Sequence, residues 1–150
     1  MPHTYTNLLN HIIFSTRDRQ PVIRADWRAD LHAYLGGIVR ELDGRALAIN
    51  GTADHIHLLV SSHPNKAIAD VVRILKSNSS RWVWGEMAGG KAFAWPTAYG
   101  AFSVSASSAA AVIRYIHSQE AHHRRVIFQE EYLQFLKKHG IEYDERYIWG

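Results

Sequence analysis

The sequence contains no cysteine, which excludes disulfide bonds and thiolate metal sites and gives no indication of secretion. It also lacks an apolar run near the roughly 20 residues needed to cross a bilayer. Its first ten residues lack the charged start and apolar core of a signal peptide. We therefore expect a cytoplasmic protein with no membrane partner. Its 150 residues, 47% hydrophobic and 21% charged, predict one globular domain over residues 1–150.

The charge balance is weakly basic, with a formal net charge of +3 and a pI of about 9.3. Lysines and arginines are concentrated at residues 17–28 and 66–81, and such clusters are compatible with a nucleic-acid partner. A solvated helix face explains the same charges equally well. Both interpretations stay open on charge alone.

Residues 54–62, DHIHLLVSS, alternate as a β-strand does. One apolar face of this strand is formed by Ile56, Leu58 and Val60. His55 and His57 point the other way, and two imidazoles at this spacing can bind one divalent cation if a further ligand is supplied. Taken alone, the pair is more simply a polar strand edge. A zinc hydrolase with a His-x-His-x-Asp-His motif is argued against, because Leu59 and Val60 occupy the positions of its Asp and third His.

The remaining pattern predicts the order βαββαβ followed by additional helices. The predicted strands cover residues 5–15, 45–51, 54–62 and 92–104, and the predicted helices cover residues 23–42, 66–84, 105–124 and 129–139. Asn65 is the predicted N-cap of the second helix, Ser105 or Ser107 that of the third, and Gly140 ends the last. This order predicts an α+β, ferredoxin-like (RRM-like) antiparallel sheet. One sheet face is then expected to be open, and the two histidines should lie on it.

The third predicted helix places Tyr115 and Gln119 four residues apart on one face, with His122 three residues further on. Gln119 could supply an amide oxygen to Mg²⁺ or Mn²⁺. Tyr115 could attack a phosphodiester held by that cation, with help because its reference pKa is about 10. A half-buried helix aromatic is the simpler interpretation of Tyr115 by itself. The other six of the seven tyrosines have no glutamine four residues on in a predicted helix.

Four segments, in this order, resemble the single-tyrosine HUH transposases of the insertion-sequence-200/605 group, including their REP-associated tyrosine transposase relatives. They are HIIFSTRDRQPVI, DHIHLLVSS, LKSNSSRWV and YIHSQ, and together they extend over nearly the whole chain. The resemblance implies that His55 and His57 are the HUH histidines, that Tyr115 is the nucleophile and that Gln119 is the third ligand of Mg²⁺ or Mn²⁺. It also implies that the first C-terminal helix carries the tyrosine. His122 is an auxiliary candidate on the tyrosine face.

The resemblance further implies a DNA transposase that cleaves and rejoins hairpin-flanked single-stranded DNA through a 5′-phosphotyrosine, as a homodimer. The candidate DNA contacts are Arg17, Arg19, Arg73, Lys76, Asn78 and Arg81. Trp82, Trp84 and Trp95 could stack on unpaired bases, although a core position is the usual one for tryptophan.

Two alternatives stay open at this point. A non-cleaving ferredoxin-like protein, a domesticated transposase, would bind DNA or RNA hairpins and form no covalent product. A rolling-circle replication initiator shares the metal motif but usually carries further domains. The segment AFSVSASSAAAVIRYI lacks the Thr-Val-Gly often found before the tyrosine helix in compact members, and this departure leaves the metal ligands open.

Overall fold

The computed structural model describes residues 3–87 and 89–149, which form a four-stranded antiparallel sheet and five α-helices. The strands are β1 (Leu9–Ser15), β2 (Arg45–Gly51), β3 (His55–Ser61) and β4 (Gly100–Val104), in the spatial order β2-β3-β1-β4. The helices are α1 (Arg28–Glu41), α2 (Ile68–Glu86), α3 (Ala109–His117), α4 (Gln119–His122) and α5 (Phe128–Lys138). The predicted ferredoxin-like fold is confirmed.

Helices cover both faces of the sheet. α1 and α2 pack on the face that carries Ile12, Phe14, Ile56 and Leu58. α3 and α5 pack on the opposite face, which carries Leu9, Ile13, Leu59 and Phe102. The prediction of an open face was therefore wrong. Both parities of the two central strands are apolar, so each face buries hydrophobic area only when helices cover it.

The histidine strand β3 is central and antiparallel to both of its neighbours. His57 lies opposite Ile13 of β1 and Asn50 of β2. Gly51 permits the tight connection between β2 and β3, because a Cβ atom there would lie 2.2 Å from the carbonyl oxygen of His55. Ladder hydrogen bonds on both edges hold the histidine backbone rigidly.

Several predicted boundaries differ from the structure. β1 begins at Leu9 rather than at residue 5, and α1 begins at Arg28, after Trp27. Asn65 was wrongly predicted as an N-cap: α2 begins at Ile68 with Ala67 in that position, and the Asn65 side chain hydrogen-bonds to His63.

The predicted strand over residues 92–104 is reduced to β4, and residues 93–99 form a loop. Pro96 cannot donate to a sheet ladder, and the Lys76 ammonium instead binds the carbonyl oxygens of Pro96, Thr97 and Ala98 at 2.7, 3.2 and 2.9 Å. This loop buries Phe93 and Trp95 in the core under α2.

The third predicted helix is divided into α3 and α4 at Ser118. It is preceded by a short 3-10 turn, Ala106–Ser108, which has Ser105 at its own N-cap position. The N-cap position of α3 is occupied by Ser108, so the prediction of Ser105 or Ser107 as the cap of this helix was wrong. Gly140 adopts φ +66 directly after the C-cap of α5, which confirms the predicted helix end. Within the described residues, no helix combines the length and hydrophobicity that a bilayer span requires.

Candidate active site

The His55 ring is fully buried and is held at both nitrogens. Nδ1 lies 2.8 Å from Oδ1 of Asp54 and 2.9 Å from the Thr52 hydroxyl, while Nε2 lies 3.0 Å from Oε1 of Gln119. Burial alone would raise the pKa of Asp54, but the hydrogen bonds from His55 and Thr52 and the charges of His55 and His123 together outweigh it and lower that pKa. An ionised Asp54 accepts the Nδ1–H proton, which leaves the Nε2 lone pair directed into the site.

The His57 ring is also fully buried, between His11 and a glutamate of α5. Its Nδ1 lies 2.8 Å from Nε2 of His11, and its Nε2 lies 2.9 Å from Oε1 of Glu131. Burial lowers the pKa of His57 to about 4 and that of His11 to about 3. Both rings are therefore neutral at pH 7, which is the form of imidazole that binds a metal ion.

Glu131 is the buried carboxylate on which the site converges. Oε1 accepts hydrogen bonds from His57 at 2.9 Å and His123 at 3.0 Å, and Oε2 accepts one from the Tyr115 hydroxyl. Nε2 of His122 lies 3.2 Å from Oε2. Burial by itself would raise the pKa of Glu131, but the hydrogen bonds from His123 and His57 outweigh it and hold that pKa well below its usual range. The carboxylate is thus ionised at neutral pH.

Tyr115 is half-buried at the edge of this cluster. Its ring lies edge-on to His57, with ring centroids 5.8 Å apart. Burial, and then the hydrogen bond and charge of Glu131, raise the pKa of Tyr115, so the phenol is protonated at neutral pH. A cleft between α3 and α5 opens this ring to solvent, and its lining includes His11, Val112, Tyr115, Phe135 and Lys138.

The tyrosine helix α3 is anchored beside Tyr115 by its next residue. Ile116 is fully buried against Leu9, Ala48 and Leu59 of the sheet. Asn50 of β2 donates from Nδ2 to the carbonyl oxygens of Ile116 at 3.0 Å and His117 at 3.2 Å. These contacts fix the end of α3 on the sheet, and so place Tyr115 near the histidines.

The structure brings four of the residues singled out in the sequence together: His55, His57, Tyr115 and Gln119. His122 lies at the rim of the same cluster. The predicted DNA contacts are elsewhere. Arg73, Lys76, Asn78 and Arg81 are on α2, which covers the other sheet face.

The remaining candidates vary in their exposure. Arg17 and Arg19 lie in a short turn after β1, and the Arg19 guanidinium lies 5.3 Å from the Trp149 ring. Trp95 is buried, Trp82 stacks on Tyr34, and Trp84 is 46% exposed. Trp95 thus occupies a core position, whereas nearly half of the Trp84 side chain is exposed to solvent.

Three residues of the site were missed in the sequence: His11, His123 and Glu131. Glu131 resembles a solvated charge within FQEEYLQFL, but it lies three residues after Phe128 and four before Phe135. That spacing puts it on the apolar face of α5, and an acidic residue on an apolar face is the signal that could have identified it.

The donor set fits a divalent cation. One ligand atom from each of His55, His57, His123 and Glu131 can be chosen so that all four lie within 4.8 Å of one another. Gln119 adds an amide oxygen 3.0 Å from His55. Neutral imidazole nitrogens and carboxylate or amide oxygens are ligands for divalent first-row metal ions, and the oxygens also suit Mg²⁺.

Known proteins resemble this chain in sequence and in structure. The ISDra2 transposase TnpA of Deinococcus radiodurans is 28% identical over 116 residues, which cover 73% of this chain and 81% of that protein. The crystal structure of a candidate transposase from Deinococcus radiodurans superposes with a TM-score of 0.62 at 25% identity, covering 79% of this chain and 96% of that chain.

A REP-associated tyrosine transposase bound to a REP hairpin shares the fold, with a TM-score of 0.62 at 13% identity over 84% of this chain and 74% of that chain. The family model "Transposase IS200 like" matches residues 4–119, a segment that contains the histidine strand, Tyr115 and Gln119 and ends before His123 and Glu131. Since this match covers well over half of the sequence, the chain belongs to the IS200-like transposase family.

Proposed function

We propose that this transposase cleaves and rejoins single-stranded DNA at hairpin-flanked sites through a 5′-phosphotyrosine on Tyr115. One observation carries the proposal: the Tyr115 hydroxyl and the His57 imidazole bind the two oxygens of one buried carboxylate. A phenol beside a set of metal ligands, at a cleft open to solvent, is an arrangement suited to phosphodiester transfer. The REP-hairpin complex of a protein with the same fold suggests hairpin DNA as the substrate to test.

In this proposal His55, His57 and Gln119 hold Mg²⁺ or Mn²⁺. The bound cation supplies Lewis-acid polarisation of the scissile phosphate. Asp54 accepts the Nδ1–H of His55, and a shift of the His57 proton from Nε2 to Nδ1, where His11 would accept it, would make both Nε2 lone pairs available to the cation. The chain thereby orients its own ligands before substrate binds.

The proposed reaction exchanges one phosphodiester bond for another. The Tyr115 oxygen bonds to phosphorus while the bond from phosphorus to the 3′ oxygen breaks. The phenol proton passes to Oε2 of Glu131, the leaving 3′ oxygen takes a proton from a water molecule, and the proton on Glu131 then neutralises the hydroxide that remains. A 3′-hydroxyl attacks the phosphotyrosine in the reverse step and releases Tyr115. Because the phenol is protonated in the free enzyme, a proton acceptor at its hydroxyl is needed.

We also propose that all of residues 1–150 act as one catalytic domain and that the active form is a homodimer. Tyr115 reaches the histidines of its own chain, so each protomer would carry a full set of groups. Light scattering with hairpin DNA tests this part of the proposal, and a monomer that forms the covalent product at full rate contradicts the dimer.

The central experiment incubates the protein with single-stranded hairpin oligonucleotides from the flanking DNA and Mn²⁺ or Mg²⁺. We expect a protein–DNA adduct that resists denaturant and maps to Tyr115 by mass spectrometry. Tyr115→Phe and EDTA should each abolish it. Tyr147→Phe is the matched control, because Tyr147 is 71% exposed and lies outside the cluster.

Two results would contradict the proposal in different ways. An adduct on Tyr143 or Tyr147 would retain the strand-transfer activity and reject Tyr115 as nucleophile. Tight hairpin binding that EDTA does not affect, with no adduct, would favour the non-cleaving hairpin-binding protein.

A further inference from the structure

We infer that Glu131 and His123, together with His55 and His57, bind the same metal ion as Gln119, and that this centre selects Mn²⁺, Co²⁺ or Zn²⁺ over Mg²⁺. This inference rests on the proposed function, since it names the ligands and the class of ion at the same site. Two of these four residues, His123 and Glu131, lie beyond residue 119, where the family match ends. The C-terminal segment would then complete the metal centre.

The four donor groups already converge. Oε1 of Glu131 lies 2.9 Å from Nε2 of His57, 3.0 Å from Nε2 of His123 and 3.8 Å from Nε2 of His55. The four ligand atoms span no more than 4.8 Å, a little over twice a metal–nitrogen bond of about 2.1 Å. A small inward movement of these side chains suffices to enclose one ion.

The orientation of the buried polar atoms also favours a bound cation. With Nδ1–H of His55 donated to Asp54, its Nε2 is an acceptor that faces another acceptor, Oε1 of Gln119, at 3.0 Å. The Gln119 amide nitrogen points instead to the Tyr115 carbonyl oxygen, 3.5 Å away. Two buried acceptors at this distance are satisfied when a cation or a proton lies between them.

The three rings and the carboxylate are packed so tightly that few other side-chain conformations are open to them. The side chains of His55 and His57 are fully buried, and those of Glu131 and His123 are 2% and 9% exposed. The His55 and His123 rings lie 4.2 Å apart between centroids. One divalent ion at this position would neutralise the carboxylate and use a lone pair from each of the three imidazoles.

The composition of this set determines which ions it prefers. Mg²⁺ favours six oxygen ligands and gives up water reluctantly, whereas imidazole nitrogen suits later first-row ions. Three nitrogens and one carboxylate therefore predict the affinity order Zn²⁺ > Co²⁺ > Mn²⁺ > Mg²⁺. We expect Mn²⁺ to bind at least about 100-fold more tightly than Mg²⁺.

The first test measures metal binding without DNA. Metal-stripped protein is titrated with MnCl₂ while electron paramagnetic resonance follows free Mn²⁺, and with MgCl₂ in competition. We expect Glu131→Gln and His123→Ala each to weaken Mn²⁺ binding at least about tenfold. Glu130→Gln, a change at the neighbouring exposed residue of α5, should leave the affinity unchanged. Wild-type affinity in both Glu131→Gln and His123→Ala would overturn the inference.

The second test needs no substitution and so does not depend on how a variant folds. In the Co²⁺-loaded wild-type protein, each bound histidine gives one exchangeable, paramagnetically shifted imidazole N–H signal in the proton spectrum. Three imidazole ligands, from His55, His57 and His123, predict three such signals. Two signals would restrict the histidine ligands to His55 and His57 and reject His123.

These readouts separate the inference from the proposed function. Glu131-dependent Mn²⁺ binding without any DNA adduct would retain the metal centre and reject strand transfer. An adduct on Tyr115 in wild-type and His123→Ala protein, together with unchanged Mn²⁺ affinity in both Glu131→Gln and His123→Ala, would retain strand transfer and reject these two ligands.

Discussion

Truncation of Ile116 is the most direct test of how the fold positions the proposed nucleophile. The side chain is 0% exposed and packs on Leu9, Ala48 and Leu59. An Ile→Ala change at such a site costs about 2–5 kcal/mol, and we take about 3 kcal/mol for Ile116→Ala. The melting temperature of a chain of this length should then fall by about 6–12 °C.

The loss of free energy should mainly weaken the docking of α3 on the sheet. This helix has nine residues, too few to be stable without tertiary contacts. A docking equilibrium that weakens by about 3 kcal/mol shifts about 100-fold. Adduct formation on Tyr115 should slow by about 10- to 100-fold, and the slowing is smaller if α3 of the wild type is docked with a large excess of free energy.

The assay follows the initial rate of adduct formation at a temperature where each variant is folded, as judged by near-ultraviolet circular dichroism. Leu35→Ala is the matched control, since Leu35 is also 0% exposed but belongs to α1, which packs on the other sheet face. It should lower the melting temperature by a similar amount and leave the adduct rate unchanged. A wild-type adduct rate in Ile116→Ala protein, despite the expected loss of stability, would refute the role of α3 docking.

Three further predictions concern other parts of the molecule. Asn50→Ala removes the donor to the carbonyl oxygens at the end of α3. It should lower the unfolding free energy by about 1–2 kcal/mol and slow adduct formation on Tyr115. An unchanged unfolding free energy in denaturant titration would contradict this prediction. Burial and then the charge of Arg28 lower the pKa of His32 to about 4, so the neutral form of His32 is favoured in the folded state. Its contribution to the unfolding free energy is fully present above pH 6.5 and is lost as the pH falls towards 4. Between pH 6.5 and 5 the wild type should lose about 1.5 kcal/mol more than His32→Gln in urea unfolding, and parallel pH profiles would reject the assignment. If Arg73 and Arg81 contact phosphates, each change to Ala should reduce the slope of log affinity against log salt for hairpin DNA by about 0.7–0.9, and unchanged slopes would remove α2 from the DNA interface.

Local patterns of apolar residues were sufficient to predict much of the fold. Strand alternation and helical spacing predicted the order of the elements through β4, and the parity of β3 placed His55 and His57 on one face. The glycine at the end of α5 was also recognised, because a left-handed residue there follows from backbone sterics alone. The predicted loop boundaries were less accurate, as at Asn65 and Pro96, where the partners of the backbone carbonyls and of the polar side chains decide the conformation.

The pairing of Tyr115 with Gln119 was predicted from helical spacing, and the structure adds where each one points. Gln119 meets His55 across 64 positions of the sequence, and Tyr115 meets Glu131 across 16. The covered second sheet face could have been predicted too, since Leu9, Ile13 and Leu59 share the parity of the histidines.

The sequence by itself predicted that His55 and His57 share one face of a strand and that Tyr115 and Gln119 share one face of a helix, because backbone geometry converts such spacings directly into a shared face. Only the tertiary structure decided that Glu131, His123 and His11 join them. His57 meets Glu131 across 74 positions and His11 across 46. The contact with His11 depends on the pairing of β1 with β3, and the contact with Glu131 depends on α5 packing over the sheet, which brings one buried carboxylate within hydrogen-bonding distance of rings from different elements.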